Sequence, residues 1–250
     1  MALIKCPECG NRISDKAESC PYCGCPRQYF FDSPKPSSFD YGQLKNALIM
    51  FSSEWRSLFS SSRYIPKSAA NKFFKAYEKY AEMLKNPLVQ RYIQNNSKMV
   101  GFDYGQAQKF INCLEKYYKL VEEHNAKFIE DILIREKEYF DNMLKPIDPN
   151  LCLDDEQRRA IVTDEDYCLL VAGAGAGKTT TMAAKVKYLV EKQGIAQSDI
   201  IVISYTNKAI DELKERIHKK LGLKDINICT FHSFGYDILR KTNEVPPAVN

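Results

Sequence analysis

The stretch Tyr167-Cys-Leu-Leu-Val-Ala-Gly-Ala-Gly-Ala-Gly-Lys-Thr-Thr-Thr181 joins an apolar run to a loop of small residues, followed by a lysine and threonines. The apolar run at 168–171 predicts a buried parallel strand, and the spacing of apolar residues at 182–190 predicts a helix. Between them, Gly173, Gly175 and Gly177 free the backbone, so that successive N–H groups can curl around an anion at the positive end of the helix. The stretch therefore predicts a phosphate-binding loop.

The side chains that follow the loop indicate which ligand it would hold. Lys178 would place its ammonium on the β- and γ-phosphates of ATP, and the Thr179 hydroxyl would be a ligand of Mg²⁺. The usual pattern begins with glycine where this chain has Ala172, and a plain glycine-rich turn before a helix is the alternative. The predicted nucleotide-binding residues of this stretch are Ala172, Gly173, Ala174, Gly175, Ala176, Gly177, Lys178, Thr179 and Thr180, with Lys178 and Thr179 also acting in catalysis.

The overall composition is that of an ordinary soluble protein. The 250 residues are 44% apolar and 27% charged, which leaves room for two or three domains. No apolar run approaches the roughly 18 residues of a membrane span, and the N-terminus has no apolar stretch of signal-peptide length. We therefore expect a cytoplasmic protein without a membrane partner.

Two cysteine pairs near the N-terminus have the spacing of metal ligands. Cys6-Pro-Glu-Cys9 and Cys20-Pro-Tyr-Cys23 are C-x-x-C knuckles, and four thiolates complete the tetrahedral shell of a structural Zn²⁺ site. A thioredoxin-type redox pair needs a single C-x-x-C beside a βαβ unit, and disulfides need an oxidising compartment, so both alternatives are weaker. The motifs resemble the zinc ribbons of many bacterial proteins, a resemblance that leaves nucleic acid, protein or mere stabilisation open as the ribbon's role.

Composition also divides the chain into segments. We predict a zinc ribbon at 1–30, a linker rich in proline and serine at 31–40, a helical accessory region at 41–149, and a third domain at 150–250 that begins where Pro146 and Pro149 stop a helix.

Helical periodicity dominates the accessory region. Apolar and aromatic residues from Phe73 to Leu84 predict one amphipathic helix over 68–84. A second series in steps of four and three predicts a long helix of about 40 residues, roughly 60 Å, that packs on the first. The stripe of residues along which this helix would pack, here called its seam, is formed by Ala107, Ile111, Leu114, Tyr118, Val121, Asn125, Phe128 and Ile132.

The basic excess of the chain lies in this same region. Residues 41–100 carry ten Lys and Arg against three Asp and Glu, and aromatic residues from Trp55 to Tyr92 are interleaved with them. The pattern is compatible with phosphate contacts and base stacking on DNA. We favour the alternative that this segment docks on the acidic helix that follows, with its charges paired there or facing water.

The last hundred residues carry further motifs in order. Gln157 lies on a short helix at 153–161, a β-branched strand at 200–204 leads into Tyr205-Thr-Asn-Lys-Ala209, and a strand at 226–229 leads into Thr230-Phe-His-Ser233. With the phosphate loop, these segments resemble the Q motif and motifs I, Ia and Ib of UvrD/Rep-like superfamily 1 DNA helicases. Many relatives have an arginine where this chain has Thr180, and members similar to helicase IV lack that arginine as well.

The resemblance implies an α/β fold: part of a RecA-like phosphate-loop NTPase lobe with a parallel sheet, preceded by the helical region and the zinc ribbon. It also implies that Gln157 binds the adenine edge and that single-stranded DNA is a partner. Because ligands collect at the carboxyl ends of parallel strands, loops 172–179, 205–208 and 230–233 should crowd one edge. The implied DNA-binding residues are Tyr205, Thr206, Asn207, Lys208, Thr230, Phe231, His232 and Ser233.

Two functions compete at this point. One is the N-terminal part of an ATP-dependent 3′–5′ DNA helicase. No apolar strand ending in Asp-Glu follows the phosphate loop, since Asp211-Glu212 fall within a predicted helix, and the second RecA-like lobe is missing. We therefore expect negligible hydrolysis by these 250 residues alone, and a longer parent protein. The other function is a non-enzymatic adaptor that binds nucleotide or DNA and recruits a partner through its ribbon.

Overall fold

The computed structural model describes residues 3–27, 30, 39–60, 62–173 and 175–242. Ala174 of the phosphate loop and most of the predicted linker, 31–38, lie outside the described residues. The chain forms two compact units, Met1–His124 and Asn125–Asn250, here called the first and the second unit. The domain limits expected from the sequence stay a prediction.

A small antiparallel hairpin begins the first unit. Strands β1 (Leu3–Lys5) and β2 (Arg12–Ser14) pair with Ile4 opposite Ile13. Their buried side chains form a small cluster with Cys6, Cys20 and Cys25, to which Leu88 of the helical region also belongs.

Helices form the remainder of the first unit. They are α1 (Tyr41–Ser60), α2 (Lys67–Lys85), α3 (Pro87–Val100) and α4 (Tyr104–Glu115). The side chain of Asn86 caps α3, and proline follows at the first helical position, where its missing N–H costs nothing. The loop before α4 ends in a capping box between Asp103 and Gln106. The predicted helix at 68–84 is confirmed as α2.

Aromatic rings fill the core between these helices. Phe51 of α1 lies against Phe73 and Tyr77 of α2 and against Phe110 of α4, with ring centroids 4.6–5.6 Å apart. Because Phe73 and Tyr77 are buried, several aromatic residues of the basic segment serve packing. Helix α2 packs on α4, as expected for the two periodic segments.

The predicted long helix is divided. It continues as α5 (Tyr117–Arg135) and α6 (Lys137–Asn142), with breaks at Lys116 and Glu136. The predicted seam is wrong at Tyr118, which is 44% exposed, whereas Tyr117 is fully buried and stacks on Phe73. The apolar side of a straight α-helix rotates gradually away from a strict seven-residue repeat. The break at Lys116 lets Tyr117, instead of Tyr118, face the core.

The second unit contains the parallel strands and the phosphate loop. After α6, its elements are α7 (Asp155–Val162), α8 (Lys178–Glu191), β3 (Ile201–Ser204), α9 (Asn207–Lys214), β4 (Asn227–Thr230) and α10 (Phe231–Thr242). Helix α9 continues into a π-helical segment, Glu215–Lys220. Seam residue Ile132 packs in this unit with residues of α6, α7 and α8.

Two strands form the parallel sheet. Strands β3 and β4 pair in parallel from Ile201 opposite Asn227 to Ser204 opposite Thr230, which confirms the predicted strands at 200–204 and 226–229 to within a residue. Val202 and Ile228 are buried against residues of α8 and α9, including Ala183 and Ile210. One face of the sheet is therefore covered by helices.

The predicted strand at 168–171 is wrong. Residues 168–171 form no strand, and Leu169 and Val171 are 87% and 84% exposed. The reason is the lack of a partner: in the described chain β3 and β4 pair only with each other, and a lone extended segment has no ladder to satisfy its N–H and C=O groups.

The described residues are mostly helical, with small sheets that include one parallel pair, an arrangement compatible with part of a helicase lobe. None of the helices described is both long and apolar enough to cross a membrane.

Candidate nucleotide and nucleic-acid site

The phosphate loop leads directly into helix α8. Gly177 is the N-cap of α8 with φ of 79°, and Gly175 has φ of 78°, both in the left-handed region that favours glycine. Gly173 does not adopt a positive φ. The first N–H groups of α8 have no partner within the helix, so this turn presents backbone donors at the positive end of the helix dipole.

Lys178 is the first residue of α8, and its side chain folds over the loop. Its ammonium donates hydrogen bonds to the carbonyl oxygens of Ala172 at 2.9 Å and Gly173 at 2.7 Å. The cation therefore lies on the same loop as the backbone donors. Thr179 is half-buried at the helix start. Thr180 is buried, and its hydroxyl accepts a 2.8 Å hydrogen bond from Arg216.

Gln157 connects α7 to the phosphate loop. Asp154 caps α7, and its carboxylate accepts from the Gln157 backbone N–H while the Gln157 side chain accepts from the Asp154 backbone N–H. The Gln157 amide also donates to the carbonyl of Ala176 at 3.3 Å. A Cβ at position 177 would come within 2.9 Å of that amide, so the glycine also leaves room for Gln157.

Lys185 of α8 holds the C-terminal end of α7 against α8. Its ammonium donates to the carbonyl oxygens of Ile161 at 2.7 Å and Thr163 at 2.8 Å, the last residues of α7 and its C-cap region. Burial lowers the pKa of Lys185 below its ordinary value. The contact fixes the orientation of the helix that carries Gln157.

The carboxyl ends of β3 and β4 bring two of the predicted loops together. The Tyr205 side chain is 80% exposed, and its ring lies 6.2 Å from that of His232. Phe231 is also exposed, with its ring 6.4 Å from that of His232. Two exposed rings and an imidazole thus share one sheet edge.

Hydroxyl groups cap the helices that leave this edge. Thr206 caps α9 by accepting from the Ala209 N–H at 3.3 Å, with Asn207 and Lys208 in the first turn. Thr230 accepts from the Ser233 N–H at 3.1 Å, and the two hydroxyls lie 2.9 Å apart. The threonines thus place two helix N-termini beside the rings, a setting that suits phosphate groups.

The four predicted metal ligands of the ribbon lie together. The sulfurs of Cys6, Cys9, Cys20 and Cys23 are all within 4.8 Å of one another. Bonds of about 2.3 Å to one zinc ion put tetrahedral sulfurs about 3.8 Å apart, so the cluster fits a four-sulfur shell. Cys25 is fully buried beside them, outside the cluster.

Sequence reasoning missed two residues that support this site. Lys185 lies on α8 between Ala184 and Val186, which are both buried. Arg216 lies in the π-helical segment and pairs with Glu212 at 2.9 Å as well as donating to Thr180. Lys185 and Arg216 donate hydrogen bonds to α7 and to Thr180, which are far away in the sequence. No local sequence pattern indicates such contacts.

Comparisons with known proteins find similarity to DNA helicases. Residues 153–245 match the family model described as UvrD/REP helicase N-terminal domain. The chain is 27% identical over 173 residues to DNA helicase IV of Escherichia coli, covering 65% of this chain and 24% of that protein. It is 42% identical over 87 residues to the ATP-dependent DNA helicase PcrA of Bacillus subtilis, covering 34% of this chain and 12% of that protein.

The chain is 40% identical over 92 residues to the ATP-dependent DNA helicase srs2 of Schizosaccharomyces pombe, covering 36% of this chain and 10% of that protein. The chain thus spans about a quarter or less of the length of these relatives. The predicted resemblance is confirmed: the chain is related to UvrD/Rep-like DNA helicases through the segment that carries the phosphate loop and the sheet edge.

Proposed function

We propose that this chain is the N-terminal part of an ATP-dependent 3′–5′ DNA helicase or translocase that binds ATP with Mg²⁺ and single-stranded DNA. The observation that carries the proposal is the start of α8, where a turn built on two left-handed glycines leads straight into Lys178. Backbone donors and an ammonium converge there on one loop.

Each residue of the loop has a separate role in binding nucleotide. The N–H groups at the start of α8 would hold phosphate oxygens, and Lys178 would exchange its two carbonyl partners for the β- and γ-phosphates. The Thr179 hydroxyl would be a ligand of Mg²⁺. Gln157 would bind the adenine edge from α7, where Lys185 and the capping box hold it beside the loop.

The edge beyond β3 and β4 would bind single-stranded DNA. Stacking on Tyr205 and Phe231 tolerates any base, because every base has a π-face. Phosphates would meet the first turns of α9 and α10, with contacts from Asn207 and Lys208 on one and from His232 and Ser233 on the other.

Hydrolysis would require groups that these 250 residues do not supply. The sequence contains no Asp-Glu pair after an apolar strand beyond the loop, and the arginines of a second lobe would have to come from elsewhere. We therefore expect this chain alone to bind ATP with little turnover. The comparisons do not favour the adaptor alternative, since the similar proteins are DNA helicases.

The ribbon would hold one Zn²⁺ with a structural role, since four cysteine sulfurs leave no open position. Thiolates must stay reduced to bind zinc, so a cytoplasmic location fits the ribbon. We expect about one zinc per chain by atomic absorption, and the four-sulfur assignment requires Cys9→Ser to lower that content. Zinc well below one per chain in the unaltered protein would remove the site.

The test of the nucleotide site is titration of the full chain with a fluorescent ATP analogue. Lys178→Ala should abolish binding, because it removes the cation from the loop. Lys187→Ala is the matched control, because it removes a lysine of the same helix that pairs with Glu191 at 2.7 Å. Unchanged affinity of Lys178→Ala, with circular dichroism showing that it is folded, would rule out the assignment.

A further inference from the structure

A cleft in the first unit has the composition of a binding site. It has a volume of about 630 Å³, within the range of ligand pockets, and lies between α1, α4 and the turn at Gly101. Buried apolar residues line its floor, and Trp55 stands half-buried in its wall. The floor residues are Leu48, Phe51, Phe102 and Phe110.

Cations surround this aromatic floor. Lys45 and Arg56 of α1 and Lys109 of α4 line the cleft, and all three are exposed. Within the described parts of the chain, none of them forms an ion pair. Among the residues that the structure describes, no carboxylate lines the cleft. The ligand that complements it is therefore anionic with a flat apolar group.

The acidic group of α1 is engaged elsewhere. The carboxylate of Glu54, the only acid in this helix, accepts a 2.8 Å hydrogen bond from the Tyr77 hydroxyl. Burial, reinforced by this carboxylate, raises the pKa of Tyr77. The cleft side of α1 thus keeps an uncompensated positive charge.

A row of hydroxyls extends the cleft along α1. A shallower depression of about 440 Å³ shares Ser52 and Arg56 with the cleft, and Ser53, Ser57 and Ser60 line the remainder of it. The Ser52 hydroxyl donates to the Leu48 carbonyl at 2.9 Å, so the other three serines supply the donors for phosphate. Serine hydroxyls and guanidinium groups are common phosphate ligands in nucleic-acid complexes. An acidic peptide would need only the cations, whereas a phosphodiester chain would use the hydroxyls as well.

We propose that this cleft is a second contact for single-stranded DNA, with a base lying against the aromatic floor beside Trp55 and phosphates on Arg56, Lys109 and the serines of α1. The inference rests on the proposed function, because it assigns to the same ligand a contact on the first unit. It gives the helical region a role in retaining the strand.

Trp55 makes the proposal directly measurable, since it is the only tryptophan in the chain. Titration of the full chain with an oligo(dT) of about 16 nucleotides, a typical length for single-strand sites, should quench its fluorescence saturably. A strand of equal length with abasic sugars should bind more weakly and leave the fluorescence unchanged. Absence of quenching by oligo(dT) while fluorescence anisotropy shows binding would overturn the proposal.

Charge variants provide the second measurement. Arg56→Gln with Lys109→Gln should weaken oligo(dT) binding about tenfold and reduce the slope of log affinity against log salt by roughly 1.4 for two phosphate contacts. Lys72→Gln with Lys75→Gln removes the same charge from exposed positions of α2 and should change the affinity and the slope little. Equal effects of the two double variants would overturn the proposal.

A third variant separates this proposal from the proposed function. Tyr205→Ala should weaken DNA binding measured by anisotropy but leave the amplitude of Trp55 quenching at saturation unchanged. Quenching without any effect of Tyr205→Ala would support the cleft and contradict the sheet edge. An acidic aromatic peptide that quenches Trp55 more strongly than oligo(dT) does would identify a protein-docking site and overturn the proposal.

Discussion

The apolar runs at 168–171 and at Ile201–Ser204 both fall within predicted strands, but only the second forms one. The first runs through Leu169 and Val171, both largely exposed, and forms no strand. The second forms β3, where Val202 is buried and every residue has a partner in β4. The difference shows that an apolar run becomes a strand through its neighbour, because hydrogen bonds between strands are what a single run cannot supply.

The largest expected effect is a loss of stability in the paired strands β3 and β4. Ile228→Ala should destabilise the sheet by about 2–5 kcal/mol, because it opens a cavity under β4. Leu169→Ala should change stability by less than about 0.5 kcal/mol, because the side chain is already exposed. Hydrogen exchange of peptides spanning β3 and β4 measures both. Equal losses of protection would mean that the run at 168–171 is packed as a strand.

A smaller effect is expected at the contact that fixes α7. Lys185→Met should cost about 1.5–3 kcal/mol, the range for hydrogen bonds made by a charged group. Lys187→Met loses one i,i+4 ion pair and should cost about 0.5 kcal/mol. Urea unfolding followed by circular dichroism gives both values. A similar cost for the two variants would show that Lys185 does not hold the helix.

The pH dependence of that difference follows from the lowered pKa of Lys185. Between the lowered pKa and its ordinary 10.5, the unfolded chain binds the proton while the folded chain has released it, so stability rises with pH there. The stability of the unaltered chain relative to Lys185→Met should therefore increase as the pH rises towards 10.5. A difference that falls over this range would contradict the burial of the ammonium.

The phosphate loop, which follows the run at 168–171, depends on glycine and not on pairing between strands. Gly177→Ala should cost roughly 1–2 kcal/mol of left-handed strain and displace the Gln157 amide. Because the altered turn and the displaced amide lie at the predicted phosphate site, binding of a fluorescent ATP analogue should weaken about tenfold. Gly194→Ala is the control, because Gly194, outside the loop, has a φ of 69° and nothing within 4 Å of its Cβ position. Weakening by both changes alike would show that the effect does not come from the turn at Gly177.

The smallest effect is expected at the end of β3. Thr206→Ala removes the cap of α9 and should cost about 1 kcal/mol. Thr206→Ser keeps the oxygen and should restore stability, as judged by thermal unfolding. If serine fails to rescue, the methyl group of Thr206 matters more than its hydroxyl.

Local patterns predicted much of the fold. The spacing of apolar residues from Phe73 to Leu84 predicted α2, and the β-branched run at 200–204 predicted β3. The strand at 168–171 and the seam at Tyr118 were wrong, because each depends on what lies beside it in space. Periodicity in the sequence indicates which side chains favour burial. Which of them are buried depends on the elements that lie next to them in the folded structure.

Some features of the candidate site were likewise predictable from the sequence, and others were not. Its backbone features were predictable, since glycine at 175 and 177 and threonine at 206 have conformational signatures. The supporting cations at 185 and 216 were not, because a lysine or an arginine on a helix gives no sign of a distant carbonyl or hydroxyl partner. The roles of the predicted ligand-binding residues stay predictions.

The register of β3 and β4 has a consequence for how this edge tolerates change. Ser204 stands opposite Thr230, so the residues that follow both strands leave the sheet at the same level. Insertions at Lys224 and Asp225, the exposed residues between buried Leu223 and buried Ile226, would lengthen the connection that leads into β4 while the terminal rung stays aligned. Evolution could therefore vary the length of that connection and still present Tyr205 and Phe231 side by side.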